Sequence, residues 1–109
     1  MNRLIHGRTR LSILAFLAAA ESARTGFNEL KEKLGLSAGN LSVQLKKLKR
    51  AGYVSIVKEF RLNRPFTGVS LTGRGRNEID GYIDEMEKMI RSLKAASTGG
   101  LRTSARRKR

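Results

Sequence analysis

The interruption of a helical apolar pattern by Leu34-Gly35-Leu36-Ser37 constrains this chain more than any other feature of its sequence. Phe27, Leu30, Leu34, Leu41, Leu45 and Leu48 recur at helical steps on either side of the break, so two short helices turn one face each toward a shared core. Gly35 suits the left-handed position that follows a helix end, and Ser37 can cap the next helix by accepting a backbone N–H. A link of about four residues is all that helix, turn and helix need.

The second of these helices carries Lys46, Lys47, Lys49 and Arg50 and no acid. Its polar face holds Asn40, Ser42, Gln44, Lys46 and Lys47, and Gly39 and Val43 are small enough to permit close approach. With Ser37 at the helix start, these are groups that hydrogen-bond base edges or phosphates. Ala51-Gly52 ends the helix, and residues 53–57, β-branched and aromatic, read as a strand. A turn over residues 59–65 follows, with Asn63 and Pro65 as turn formers and Lys58, Arg61 and Arg64 as cations near its tip. Residues 67–71 return as a second strand. So short a hairpin is marginal alone and has to lean on the helices. The prediction is a mainly α fold with a small antiparallel β-hairpin, in the order of a winged helix-turn-helix. In that layout one helix enters the major groove of DNA and the hairpin reaches over the neighbouring backbone.

Residues 8–76 resemble the winged-helix domain of MarR/ArsR-type bacterial and archaeal transcriptional regulators, especially small members with little beyond the DNA-binding domain and a dimerisation helix. The resemblance is carried by Arg8-Thr-Arg-Leu-Ser-Ile-Leu, Phe27-Asn-Glu-Leu-Lys-Glu-Lys-Leu-Gly-Leu and Ser37-Ala-Gly-Asn-Leu-Ser-Val-Gln-Leu-Lys-Lys-Leu. Leu48-Lys-Arg-Ala-Gly-Tyr-Val and Leu71-Thr-Gly-Arg-Gly-Arg complete it. It implies a homodimer on a pseudo-palindromic double-stranded DNA operator, with the third helix in the major groove and the wing on the backbone or minor groove. Metal-sensing relatives hold their effector with Cys and His clusters, but this chain has no Cys and one histidine, His6. Soft-metal sensing therefore lacks ligands, and no cofactor is expected.

Charge agrees with a polyanionic partner. The chain has 109 residues, 23 basic and 9 acidic, for a net charge of +14 and a pI near 11.3. Six of those positives lie in residues 94–109, which hold no acid, so residues 1–93 still carry +8. Charge alone would equally suit RNA, acidic lipid or a ribosomal partner, and the motif has to choose among them. The length suits one small domain, and no separate effector-sensing domain is expected within it. Arg3, Arg8 and Arg10 ahead of the apolar residues 11–20 imitate a secretory leader. Cleavage there would remove Leu11, Leu14 and Leu17, which a first helix has to supply to close the core. The run is also shorter than the roughly 20 residues that span a membrane. A cytoplasmic, nucleoid-associated protein is expected.

Beyond the wing, Ile79, Ile83, Met86, Ile90 and Leu93 are spaced 4, 3, 4 and 3, a heptad seam on a helix over about residues 72–94. The seam could pack back on its own domain; the preferred reading is a contact between two chains, because so small a domain has little surface left to bury a second stripe. Gly81 inside this helix costs up to about 1 kcal/mol relative to Ala and could mark close approach to another backbone. Thr72 would cap the helix, with Arg74 and Arg76 near backbone phosphates. Residues 95–109 are too polar to fold alone and read as a disordered basic arm. The expected divisions are thus a DNA-binding domain over 1–76, a dimerisation helix over 77–94 and a tail over 95–109. Nothing resembles a catalytic constellation, and Gly73-Arg74-Gly75-Arg76 is not a dinucleotide loop. The alternatives from other classes are a non-specific architectural DNA- or RNA-binding protein, and a winged helix that binds a protein; four cations without an acid on the third helix argue against the latter.

Overall fold

A computed structural model describes residues 7–20 and 24–104, with side-chain environments through residue 97. Its elements are α1 (Arg8–Ala19), β1 (Thr25–Gly26), α2 (Phe27–Leu34), α3 (Ala38–Arg50), β2 (Val54–Arg61), β3 (Arg64–Leu71) and α4 (Gly73–Ser104). The strands form an antiparallel sheet in the order β1-β3-β2. The helix, turn, helix and hairpin stand where the sequence places them, and the two-residue β1 is an addition that no local pattern announces.

The turn forms for the reasons its residues suggest. Gly35 sits at φ 66°, ψ 36°, the left-handed cap of α2, and the Leu36 N–H reaches back to the Lys31 carbonyl at 2.9 Å. Ser37 Oγ then accepts the Asn40 N–H at 3.0 Å and starts α3. With both ends satisfied locally, the apolar faces meet. Ile13, Leu14 and Leu17 of α1, Leu30 of α2, and Leu41, Leu45 and Leu48 of α3 are buried together with Tyr53, Val54 and Val69. Of the three leucines expected to close the core, Leu14 and Leu17 are buried and Leu11 is half-buried against its edge, while Ile13 is fully buried. Each such side chain contributes about 1.5–3 kcal/mol by leaving water.

The hairpin is longer and its turn tighter than the composition of residues 59–65 suggests. Pairing runs from Val54↔Leu71 to Arg61↔Arg64, leaving a two-residue turn of Leu62 and Asn63 at φ 52° and 64°. Pro65 lies within β3 opposite Phe60. In a two-residue hairpin the pair flanking the turn exchanges hydrogen bonds and the next pair does not, so the missing Pro65 N–H costs no ladder bond.

The start of α4 is fixed to the end of α3. Thr72 Oγ1 accepts the Gly75 N–H at 2.9 Å and donates to the Gly52 carbonyl at 2.7 Å, while the Thr72 N–H donates to the Tyr53 carbonyl at 3.0 Å. From there α4 runs 32 residues to Ser104, past the expected end at Lys94. No proline interrupts it, and Ala95-Ala96 favour helix. At 1.5 Å per residue it is about 48 Å long, whereas the molecule measures 65 × 25 × 24 Å, so the second half of α4 stands clear of the domain.

That geometry corrects the reading of the heptad seam. Ile79 is fully buried and, with Tyr82, belongs to the domain's own core; Met86 is half-buried against the same cluster. The first turns of α4 lie beside α1 and β3, so their apolar residues are already covered. Ile83, Ile90 and Leu93 remain exposed, joined by Met89. Spacing alone cannot separate the two halves of one stripe.

Candidate nucleic-acid interface

Only a narrow stripe of α3 faces inward. Leu41, Leu45 and Leu48 are buried, while Gly39, Asn40, Val43, Lys46, Lys47, Lys49 and Arg50 are exposed and Ser42 and Gln44 half-buried. At 100° per residue, Gly39, Val43, Lys46 and Arg50 line the pole opposite the leucines. Asn40, Gln44 and Lys47 flank that pole on one side, and Ser42 and Lys49 on the other. The sequence-predicted residues of this helix therefore form one continuous outward surface.

On the Ser42 side a groove of about 320 Å³ separates α3 from the wing. Phe27, Leu45 and Ile56 supply apolar lining, and Ser42, Lys46, Lys49, Lys58 and Thr67 the polar lining. Lys58 reaches it because β2 alternates: Ile56 and Lys58 share the face that turns toward α3, opposite Val69 and Thr67 on β3. On the other side, Arg10 of α1 donates through Nη1 to Gln44 Oε1 at 2.9 Å, and Gln44 Nε2 donates to Asn40 Oδ1 at 3.2 Å.

The wing cations differ in their freedom. Arg61 Nε donates to Glu59 Oε2 at 2.8 Å, and its guanidinium lies 3.8 Å over the Phe66 ring. Arg24 Nη1 meets the other carboxylate oxygen, Glu59 Oε1, at 2.7 Å. Hydrogen bonds from Arg61 first and Arg24 second hold the Glu59 carboxyl below its ordinary value of 4.5. Arg61, expected as an open cation at the tip, is thus tied to an acid; the reason is the strand period, which puts Glu59, Arg61 and Phe66 on one face of the hairpin. No local pattern in the sequence links Arg24 to Glu59, 35 residues away. Lys58 and Arg64 are exposed, and so are the apolar Phe60 and Leu62 at the tip, at 75% and 96%.

Arg74 is exposed at the start of α4, its guanidinium 5.8 Å from the centroid of the Tyr53 ring. Arg76, grouped with it in the sequence, instead donates to the Ala18 carbonyl at 3.4 Å, where a cation complements the end of α1. Among the described residues no cluster of three His, Cys, Asp or Glu could hold a metal ion, and no helix is long and apolar enough to cross a membrane. His6, Arg3 and the last five residues of the tail lie outside the described residues.

Residues 9–90 match the family model described as winged helix DNA-binding domain. Over 91 residues the chain is 35% identical to an uncharacterised protein of Methanocaldococcus jannaschii, a match covering 84% of this chain and 97% of that one. It is also similar to the solved structure of a transcriptional regulator homologue from Pyrococcus horikoshii, with a TM-score of 0.76 and 28% identity over 83% of this chain and 87% of the other. MepR of Staphylococcus aureus, solved as a complex with DNA, shares the fold with a TM-score of 0.66 at 20% identity, over 94% of this chain and 83% of its own. The two solved neighbours are MarR-type transcriptional regulators.

Proposed function

The chain belongs to the winged-helix DNA-binding domain family, and from that premise we propose that it is a sequence-specific transcriptional regulator acting as a homodimer on a pseudo-palindromic operator. The observation that carries the reading is the outward surface of α3, where Asn40, Ser42 and Gln44 can read base edges among four cations and no acid. A major groove about 12 Å wide admits one helix, and Gly39 and Val43 at the pole let the helix axis come close to the base pairs. Lys46, Lys47, Lys49 and Arg50 then fall beside the phosphates, Lys58 and Arg64 carry the wing onto the flanking backbone or minor groove, and Arg74 meets the backbone at the start of α4.

Two copies would join through the exposed half of the α4 stripe, Ile83, Ile90 and Leu93 with Met89. An exposed apolar stripe on a projecting helix is costly to leave in water, and a second copy of the same helix is its simplest cover. The place of action under this reading is the nucleoid.

Selection of bound duplexes from a random pool tests the reading. A palindrome with half-site centres about one helical turn apart supports it. A flat pool, or a preference for RNA, would replace it with the non-specific architectural reading that a net charge of +14 also suits.

A further inference from the structure

Arg10 stands outside the helix-turn-helix, yet its guanidinium reaches the base-reading face of α3. The chain of hydrogen bonds runs from Arg10 Nη1 to Gln44 Oε1 at 2.9 Å and from Gln44 Nε2 to Asn40 Oδ1 at 3.2 Å. A guanidinium has donors and no acceptor. The end of the Gln44 amide that faces Arg10 therefore has to be its oxygen, which turns the NH2 group toward Asn40. By the same logic one step on, Asn40 turns its oxygen toward Gln44. An isolated amide is free to flip; here the direction of both amides is set by the one member of the chain that cannot accept.

We propose that Arg10 is a specificity-determining, positioning residue: it polarises the Gln44–Asn40 pair so that α3 offers hydrogen-bond donors to the major groove and selects guanine over adenine at the base pair beneath Asn40. The proposal rests on the reading of α3 as the helix in that groove. Adenine shows N7, an acceptor, beside N6–H, a donor, and an Asn or Gln amide reads it by presenting its oxygen and nitrogen together. Both amide oxygens here are drawn along the chain, Gln44's to Arg10 and Asn40's to Gln44. Meeting adenine would place its N6–H on the second lone pair of Asn40 Oδ1 while the Gln44 N–H holds the first, so one fixed amide plane has to satisfy both donors at once. Guanine shows N7 and O6, two acceptors. Asn40 is exposed, and neither N–H of its Nδ2 is used in the chain, so it meets that edge without disturbing any link.

The test is selection from a random duplex pool with the full-length protein and its Arg10→Met, Arg10→Lys and Gln44→Glu variants, the base pair being located as the one whose preference Asn40→Ala removes. Wild type is expected to hold guanine there by roughly 5- to 150-fold in affinity over adenine. Arg10→Lys, which still donates to Gln44, should keep that preference. Arg10→Met should lose most of it while the other positions of the motif hold. Gln44→Glu keeps the tie to Arg10 but has no N–H to give, so Asn40 should turn its NH2 inward and the guanine preference should vanish there too. Adenine at that position in the wild type, or an unchanged guanine preference in Arg10→Met or Gln44→Glu, overturns the proposal and leaves the operator reading standing. A pool that stays flat for wild type overturns the operator reading, and this proposal with it.

Discussion

Two glycines of α4 should respond to the same substitution with opposite sign. A Cβ built on Gly75 would lie 2.1 Å from the Tyr53 carbonyl oxygen and 2.9 Å from both the Tyr53 carbonyl carbon and Leu71 Cδ1, where ordinary contact begins at 3.4 Å. The obstacle is backbone, so the first turn of α4 would have to retreat by more than 1 Å. That retreat pulls on the Thr72 bonds to Tyr53 and Gly52, each worth about 0.5–1.5 kcal/mol, and adds about 1–3 kcal/mol of overpacking. Alanine returns up to about 1 kcal/mol of helix propensity. The net expectation for Gly75→Ala is a loss of about 3 kcal/mol, which for a domain this small is a fall in Tm of roughly 10–25 °C. Gly81, two turns on, has nothing within 4 Å of its Cβ position. Gly81→Ala should therefore gain up to about 1 kcal/mol and raise Tm by about 4–8 °C. Thermal melts at one protein concentration, with urea midpoints at constant m, read both. A Gly75→Ala protein that melts with the wild type refutes the packing argument, and a Gly81→Ala protein that melts lower and dissociates would place a partner's backbone against that residue.

Ile83→Asp combined with Ile90→Asp should halve the sedimenting mass with the fold intact, whereas Ile79→Asp should unfold the domain by circular dichroism; the reverse order would mean that the stripe has been divided wrongly. Glu59→Gln should release Arg61 and remove a negative charge from the wing, raise affinity for operator and random duplex alike, and steepen the log K against log salt slope by about 0.9 for each additional phosphate neutralised. The Glu59 carboxyl is held below 4.5, so its ion pairs persist above that value and are lost only as the pH falls through the lower folded value. The acid-side change in binding should be missing from Glu59→Gln. Deleting residues 95–109 should flatten the salt slope without altering the preferred site; an altered site would give the tail a reading role.

What the sequence made legible was local. Gly35 and Ser37 announce the turn because each satisfies backbone groups within four residues of itself, and the three leucines of α3 declare its inward stripe. The hairpin turn escaped because Leu62 and Asn63 are not the Asn-Gly or Asp-Gly pair that two positive φ angles favour. A leucine at φ 52° runs against its own preference, so the register has to come from the paired strands. The α4 stripe escaped for a different reason: heptad spacing records that a face is apolar and says nothing of whose surface covers it. Arg10 with Gln44 and Arg24 with Glu59 are 34 and 35 residues apart, and no periodicity links them.

These long-range ties also redistribute the charge that composition counts. At the wing, Arg24, Arg61 and Glu59 amount to a net single positive charge, held on the hairpin face that carries Phe66. On α3, Lys46, Lys47, Lys49 and Arg50 are exposed with no acid in the helix, and Lys58 adds a fifth cation across the groove. Counterion release scales with the cations that reach phosphate. The salt dependence of binding should therefore report on the α3 cations together with Lys58, Arg64, Arg74 and the tail, and Arg61→Ala should change it less than Lys58→Ala. The acidic residue at the wing makes the orientation of the hairpin a matter of geometry more than of attraction. Four of these cations lie on the same helix that reads the bases, so a change in α3 alters affinity and preference together unless its cations are left in place.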